Sequence, residues 1–395
     1  MKIFISTGEV SGDLQGAMLI ESLYRQAENL NLTLEITALG GTRMEQAGAK
    51  LLRNTTSISS VGILESLPYV FPTLQIQGKV QKYLRENPPD LVVLIDYRGP
   101  NLSIGNYIRK TFANIPIIYY IAPQEWVWSL GSKNTAEIVK ITNRLLAIFP
   151  EEARYFREKG ANVTWVGHPL IDRMQNAPSR EEARTKLGIQ PNEIAIALLP
   201  ASRWQELKYL MPVMFEAAQT IQSKLSQSKQ SKIRFWIPIS LKEYQDSIQK
   251  SIQTYSLNAE CIVCEGNSNQ TLNILAAADL AITKSGTVNL EIALLNVPQV
   301  VIYRVSRVTA WIARNILKFS IPFMSPPNLV QMQSIVPEFL QEEATVENIV
   351  SSAMELLNNP QRREKMQADY QEMRQALGEV GVCDRAALEI LKSQL

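Results

Sequence analysis

Short apolar runs alternate with longer amphipathic stretches along most of this chain, and that alternation admits few folds. In the first half the runs are KIFIST, LEITALG, LVVLID, IPIIYYIAP, RLLAIF and NVTWVG, with helical stretches such as DLQGAMLIESLYRQAENL and EEARYFREKG between them. Largely apolar runs suit strands buried on both faces, and their repetition with helices makes the strands parallel. After NVTWVG the pattern lapses. The passage DRMQNAPSREEARTKLGIQPNE has two prolines and little apolar periodicity, which puts a domain boundary near 171–191. The pattern restarts with IAIALLP, KIRFWIPI, ECIVCEG, LAITKSG and QVVIYRV, and from about 345 onward it is helical. The expected architecture is α/β. A Rossmann-like parallel-sheet domain covers 1–175, a second covers 190–345, and helices over 346–395 pack partly back on the first. Two such domains are expected to face each other across a cleft lined by strand-to-helix loops.

Composition agrees with this reading. A chain of 395 residues exceeds what one ordinary core organises. A net charge of +2 gives no global bias toward nucleic acid. No run approaches the ~18–20 apolar residues of a spanning helix, and MKIFISTGEV has no long apolar stretch behind its lysine. Neither a span nor a secretory leader is expected, and the cytoplasm is the expected compartment. The three cysteines form no disulfide framework; Cys261 and Cys264 make a lone C-x-x-C in a strand-like run, so buried thiols are expected there.

Chemistry is expected where strands run into helices. In TGEVSGD (7–13), Gly8 and Gly12 permit a tight turn, and Ser11 or Asp13 suits a helix cap. The spacing is not G-x-G-x-x-G, and Glu9 and Asp13 would repel a pyrophosphate, so sugar hydroxyls are the better partners; a capped turn is the plainer alternative. LVVLIDYRGPN (91–101) ends a buried strand on one carboxylate, Asp96, which is either a catalytic base or the cap of the next helix. LLPASRWQE (198–206) places Ser202, Arg203 and Glu206 after a strand, where arginine suits phosphate oxygens. In TKSGTVNLE (283–291), Ser285, Gly286 and Thr287 start a helix suited to a diphosphate, and Glu291 lies one turn on, placed for ribose hydroxyls. His168, in WVGHP, is the only histidine; it is either a ligand contact or a hydrogen-bonded turn residue, and no second ligand group joins it for a metal. Two stretches suit lipid: 59–77, with Ile63, Leu64, Leu67 and Phe71, and the basic amphipathic 303–321, with Trp311. Each has a packed-helix alternative.

The blocks GEVSGD, GGTRM, VGILE, Asp96, APQEWVWS, FPEEARYF, GHP, PASRWQE, KSGTVNLE and PPNLV occur in an order that resembles the lipid-A-disaccharide synthases over nearly the whole chain. The resemblance implies an inverting glycosyltransferase of the GT-B type. Its reaction joins UDP-2,3-diacylglucosamine to 2,3-diacylglucosamine 1-phosphate, with no metal or cofactor, peripherally on the cytosolic face of the inner membrane. It implies Asp96 as general base, Glu9, Ser11 and Asn101 on the acceptor side, and Arg203, Ser285, Gly286, Thr287, Glu291 and Asn328 on the UDP-sugar side. The expected partners are the acylated sugars and a membrane surface, without nucleic acid, and a homodimer is one arrangement open to it.

The chain also departs from the family. Many members carry a second aspartate where Gly99 stands, Ala201 replaces a usual glycine, and QMQSIVPEFL lacks the Gly-Arg that often follows P-N-L. The departures leave the acceptor open. They also leave two other readings open: a different UDP-sugar enzyme, such as an epimerase or a peptidoglycan-precursor transferase, and a non-catalytic, membrane-associated nucleotide-binding relative.

Overall fold

The computed structural model describes residues 1–8, 10–55, 67–127, 132–201, 203–227, 232–265, 267–316 and 321–394. Glu9, Ile63, Leu64 and Ser202 lie outside the described residues, and Leu67 is described only as the start of its helix. The chain forms two units, Met1–Asp172 with Ala376–Leu395, and Arg173–Gln375.

In the first unit the strands are β1 (Lys2–Ser6), β2 (Glu35–Gly40), β3 (Lys50–Asn54), β4 (Leu91–Ile95), β5 (Ile117–Tyr120), β6 (Arg144–Ala147) and β7 (Val163–Trp165). The helices are α1 (Val10–Asn29), α2 (Thr42–Gln46), α3 (Leu67–Glu86), α4 (Arg98–Thr111), α5 (Ser132–Ile141) and α6 (Pro150–Glu158). The sheet is parallel with order β3-β2-β1-β4-β5-β6-β7. All five residues of β4 are fully buried, which explains why LVVLI lacks a polar alternate position. Leu84, Ile104, Ile108, Ile138, Ile141 and Phe156 bring α3 to α6 into one core with β4 and β5. Each such side chain contributes roughly 1.5–3 kcal/mol through removal from water.

The second unit repeats the plan. Its strands are β8 (Glu193–Leu199), β9 (Lys232–Ile239), β10 (Ala259–Val263), β11 (Leu280–Lys284), β12 (Gln299–Tyr303) and β13 (Glu338–Leu340), parallel in the order β10-β9-β8-β11-β12-β13. After α7 (Leu170–Met174), which spans the passage between units, come α8 (Arg180–Leu187), α9 (Trp204–Gln227), α10 (Gln245–Thr254) and α11 (Ser268–Ala277). They are followed by α12 (Val288–Leu294), α13 (Arg307–Trp311), α14 (Pro326–Gln331), α15 (Val346–Asn358) and α16 (Pro360–Ala376). Of the C-x-x-C pair, Cys264 is buried and Cys261 only partly so.

The C-terminal helices divide between the units. α15 packs on α9 and β12, and Tyr370 of α16 bonds to Gln299, all within the second unit. α17 (Val382–Lys392) packs on α1 in the first. Its buried residues, Val382, Cys383, Ala386, Ala387, Ile390 and Leu391, repeat at helical spacing along one stripe. Asp172 holds its start by accepting from the N–H groups of Gly381, Val382 and Cys383 at 2.7, 3.1 and 2.8 Å. The Gly-His-Pro motif belongs to the same joint. His168 N–H donates to Leu377 O, and a Cβ on Gly167 would stand 2.9 Å from that oxygen, at a φ of +91° that favours glycine.

Candidate active site

Each sheet reverses its strand order once, between β1 and β4 and between β8 and β11. Open α/β sheets bind ligands outside the carboxyl ends of strands at such reversals, because the two flanking loops diverge and leave a crevice. Asp96 and the described residues of TGEVSGD lie at the first reversal, Arg203 and KSGT at the second.

At the first reversal, Asp96 follows β4 directly and is half-buried. Asp96 and Tyr97 both adopt left-handed backbone, with φ of +44° and +48°. Such angles cost free energy outside glycine and persist only where surrounding bonds enforce them. Here they do. Asp96 N–H donates to Ile121 O at 2.9 Å, and Asp96 O accepts from the Tyr119 hydroxyl and from Asn101 Nδ2, each at 2.8 Å. Burial, and then the charge of Asp96, push the Tyr119 hydroxyl far above its ordinary pKa, so it remains a donor. Asn101 is fully buried; it also donates to Ile95 O and accepts from the Ser6 hydroxyl at 2.7 Å, tying β1 to β4. Its amide therefore sets the geometry of the Asp96 turn from beneath.

The neighbouring loops complete this end of the sheet. The Tyr97 ring lies against Gly8, where a Cβ would stand 2.2 Å from Cζ, so glycine is required there. Ser11 is half-buried in the first turn of α1. Asp13, expected as a cap for that helix, instead accepts from the N–H groups of Gly41, Arg43 and Met44 and caps α2. Asp13 and the GGTRM turn are thus two halves of one contact. Arg98 Nη1 donates to Glu125 Oε1 at 2.8 Å, linking the loops after β4 and β5. Glu152, from FPEE, accepts from the N–H groups of Ala122, Ile148 and Phe149 and joins the ends of β5 and β6; burial raises its pKa to about 7 against those three bonds. Sequence reasoning missed the Arg98–Glu125 pair because its members are 27 residues apart.

At the second reversal, Arg203 Nη1 lies 3.3 Å from Glu206 Oε1, and Lys284 Nζ lies 3.6 Å from the same oxygen. Two cations and one carboxylate thus meet where β8 and β11 end. One lysine beside a glycine turn, as in KSGT, carries no signal in sequence until Arg203 is beside it. The Ser285 hydroxyl donates to Met324 O, and Gly286 N–H donates to Asn289 Oδ1 at 2.7 Å. Thr287 precedes α12 in helical backbone. Glu291, expected at ribose hydroxyls, is buried and ion-paired with Arg173 at 3.1 Å. Asn328 is fully buried: its amide donates to Val336 O and Glu338, and its oxygen accepts from Ile335 and Val336 N–H. It holds the PPNLV turn, which Glu338 also grips through Met324 and Ser325 N–H.

His168 is 2 % exposed; Nδ1 accepts from Leu170 N–H, and the ring packs on Phe149. Burial lowers its pKa to about 3, so it is a neutral turn residue near neutral pH. Phe71 and Trp311 are 68 % and 58 % exposed. Of the basic residues near Trp311, Arg304 donates to Gln341 O and Ala344 O, and Arg314 pairs with Glu342. Among the described residues no helix is long and apolar enough to cross a membrane.

Two Rossmann-like units, each with its reversal point, define an α/β protein of the GT-B type. Solved structures of that fold align along the whole chain. A putative UDP-N-acetylglucosamine 2-epimerase from Listeria monocytogenes gives a TM-score of 0.66 at 15% identity, covering 99% of this chain and 94% of that one. A UDP-GlcNAc 2-epimerase from Neisseria meningitidis gives 0.61 at 15% identity, with 100% of both covered. At such identity the likeness concerns the fold alone. The chain belongs to the lipid-A-disaccharide synthase family: the family model described as Lipid-A-disaccharide synthetase matches residues 3–392. Lipid-A-disaccharide synthase of Gloeothece citriformis is 59% identical, covering 99% of each chain, and that of Synechocystis sp. is 57% identical, covering 99% of this chain and 98% of its own. The Geobacter sulfurreducens relative of the same name is 32% identical, covering 100% and 98%.

Proposed function

We propose that this protein transfers the glucosaminyl group of UDP-2,3-diacylglucosamine to the 6-hydroxyl of 2,3-diacylglucosamine 1-phosphate, forming a β-1,6-linked lipid A disaccharide 1-phosphate and releasing UDP. The observation that carries this reading is Asp96. It is a carboxylate held in left-handed backbone by Tyr119, Asn101 and Ile121 at the sheet reversal of a chain that matches the family model over residues 3–392. Such a group suits general-base work because its position is set before substrate arrives. Asp96 takes the proton of the acceptor 6-hydroxyl as that oxygen attacks the anomeric carbon from the face opposite UDP. The bond from the anomeric carbon to the diphosphate oxygen breaks, and its electron pair leaves with UDP, so the configuration inverts.

Charge develops on the leaving diphosphate. Arg203 and Lys284, gathered by Glu206, supply positive charge at the second reversal, and this reading needs no metal ion or cofactor. The exposed Phe71 and Leu74 on α3, and Val308, Trp311 and Ile316 in and just after α13, suit a peripheral position on the cytosolic face of the inner membrane, where acylated substrates reside.

The test is UDP release by purified protein with acylated and non-acylated UDP-glucosamine donors, in wild type and Asp96→Asn. Turnover restricted to the acylated pair is expected. Asp96→Asn should lower kcat by roughly 10²–10⁴ while UDP binding persists. Normal turnover by that variant would remove Asp96 from the base role, and rapid use of UDP-GlcNAc without acyl chains would replace the lipid reading by a soluble-sugar one.

A further inference from the structure

Ile121 follows β5 directly with its backbone in the left-handed region, at a φ of +60°, although it is β-branched and buried. A β-branched side chain crowds its own backbone there, so the conformation persists only where outside bonds impose it. Those bonds fall on the peptide unit that joins Ile121 to Ala122. Its carbonyl accepts from Asp96 N–H at 2.9 Å, and its N–H donates to Glu152 Oε1 at 2.9 Å. The peptide is trans, so the carbonyl and the N–H point to opposite sides of one rigid plane. That plane spans the distance from Glu152 to the N–H of Asp96.

Glu152 is built to hold it still. The residue is 1% exposed and is the third of α6. Its other oxygen, Oε2, accepts from Ile148 and Phe149 N–H at 2.8 and 3.2 Å. Those two bonds are the ordinary work of a carboxylate that caps its own helix. The bond to Ala122 is not, because it crosses to the end of the neighbouring strand, 30 residues back in the chain. A charged acceptor bonds more strongly than a neutral one and polarises the peptide, which makes the Ile121 carbonyl a better acceptor for Asp96 N–H. Burial is the main cause that raises the Glu152 pKa, and the charge of Asp96 adds to the rise, so the two carboxylates are close enough to interact. The Asp96 turn is thus gripped from two sides. Tyr119 and Asn101 hold its carbonyl, and Glu152 holds its N–H through the 121–122 peptide.

We propose that Glu152 is a positioning residue for the transfer reaction, fixing the turn that aims Asp96 through the peptide between Ile121 and Ala122. The inference rests on the base role of Asp96 given above. It gives the FPEE block a part in the reaction beyond capping α6.

The experiment measures UDP release from UDP-2,3-diacylglucosamine and 2,3-diacylglucosamine 1-phosphate in wild type, Glu152→Gln, Asp96→Asn and the double variant. With rates expressed per folded enzyme, Glu152→Gln should lower kcat at least tenfold and leave both KM values within twofold. In the Asp96→Asn background the same change should cost less than twofold, because a residue that acts through Asp96 has nothing left to position. Glu152→Asp keeps the buried charge and shortens its reach, and it serves the same cycle if Glu152→Gln folds poorly. An unchanged kcat overturns the proposal. An equal loss in both backgrounds also overturns it, by making Glu152 part of the general scaffold. If wild type releases no UDP, the functional reading fails separately, and amide hydrogen exchange then decides the role of Glu152. Exchange at Asp96 should quicken at least tenfold in the Glu152 variant while that over α17 stays within twofold. Unchanged exchange at Asp96, or equal quickening at both places, refutes the proposal.

Discussion

Nothing in the described surroundings of Gly99 demands a glycine there. Beyond its chain neighbours and its own helix backbone, no atom of the described residues lies within 4 Å of a Cβ built on it, its φ is not positive, and it is the second residue of α4. Gly99→Asp should therefore stabilise the protein by about 0.5–1 kcal/mol, through reduced freedom of the unfolded chain and a negative charge near a helix start. Urea unfolding measures this, and a loss above ~1 kcal/mol would reveal a constraint that the surroundings of Gly99 do not contain. Gly8 is the opposite case, since the Tyr97 ring occupies the place of its side chain. Both glycines look alike in sequence. The same limit applied to Asn101 and Asn328: their loops were identifiable, but an amide facing a ligand and an amide facing buried carbonyls have the same neighbours along the chain.

Strand and helix positions were readable because burial on both faces leaves strands as short continuous apolar runs while helices repeat near 3.6, and LVVLID, KIFIST and LAITKSG became β4, β1 and β11 with their following loops. What joins the elements was not readable. α17 is an amphipathic helix whose partner lies more than 350 residues away in α1, and its cap, Asp172, lies 209 residues before Gly381. Asp172→Ala removes the acceptor of three N–H groups in the first turn of α17 and should cost about 1–3 kcal/mol. Asp172→Asn should retain part of this. The check is the urea midpoint, together with protease sensitivity of the C-terminal segment; unchanged values for Asp172→Ala would mean that water replaces the carboxylate at little cost.

The molecule has a single histidine, so a whole-chain titration reports on one group. Burial holds His168 neutral, with a pKa of about 3 against 6.5 for an exposed imidazole. Its contribution to stability is complete above pH 6.5 and is lost as pH falls toward 3, because the unfolded chain takes up a proton that the folded chain refuses. The slope from this group is about 1.4 kcal/mol per pH unit in that window. The imidazole NMR signal should stay unprotonated from pH 8 to pH 5, and a midpoint near 6.5 would place the ring in water. The sequence by itself determined the two-unit α/β plan and the loops that carry chemistry, because strand burial and strand-to-helix turns leave local patterns, and the ordered blocks marked the family. Tertiary structure alone decided which side chains in those loops are held and by what: Asn101 under Asp96, Asp13 on α2, Arg98 on Glu125, and Lys284 beside Arg203. Asn101 lies only five residues after Asp96, but the other three pairings depend on strand order across a sheet, which brings together residues 27 to 81 positions apart in ways that local periodicity does not encode.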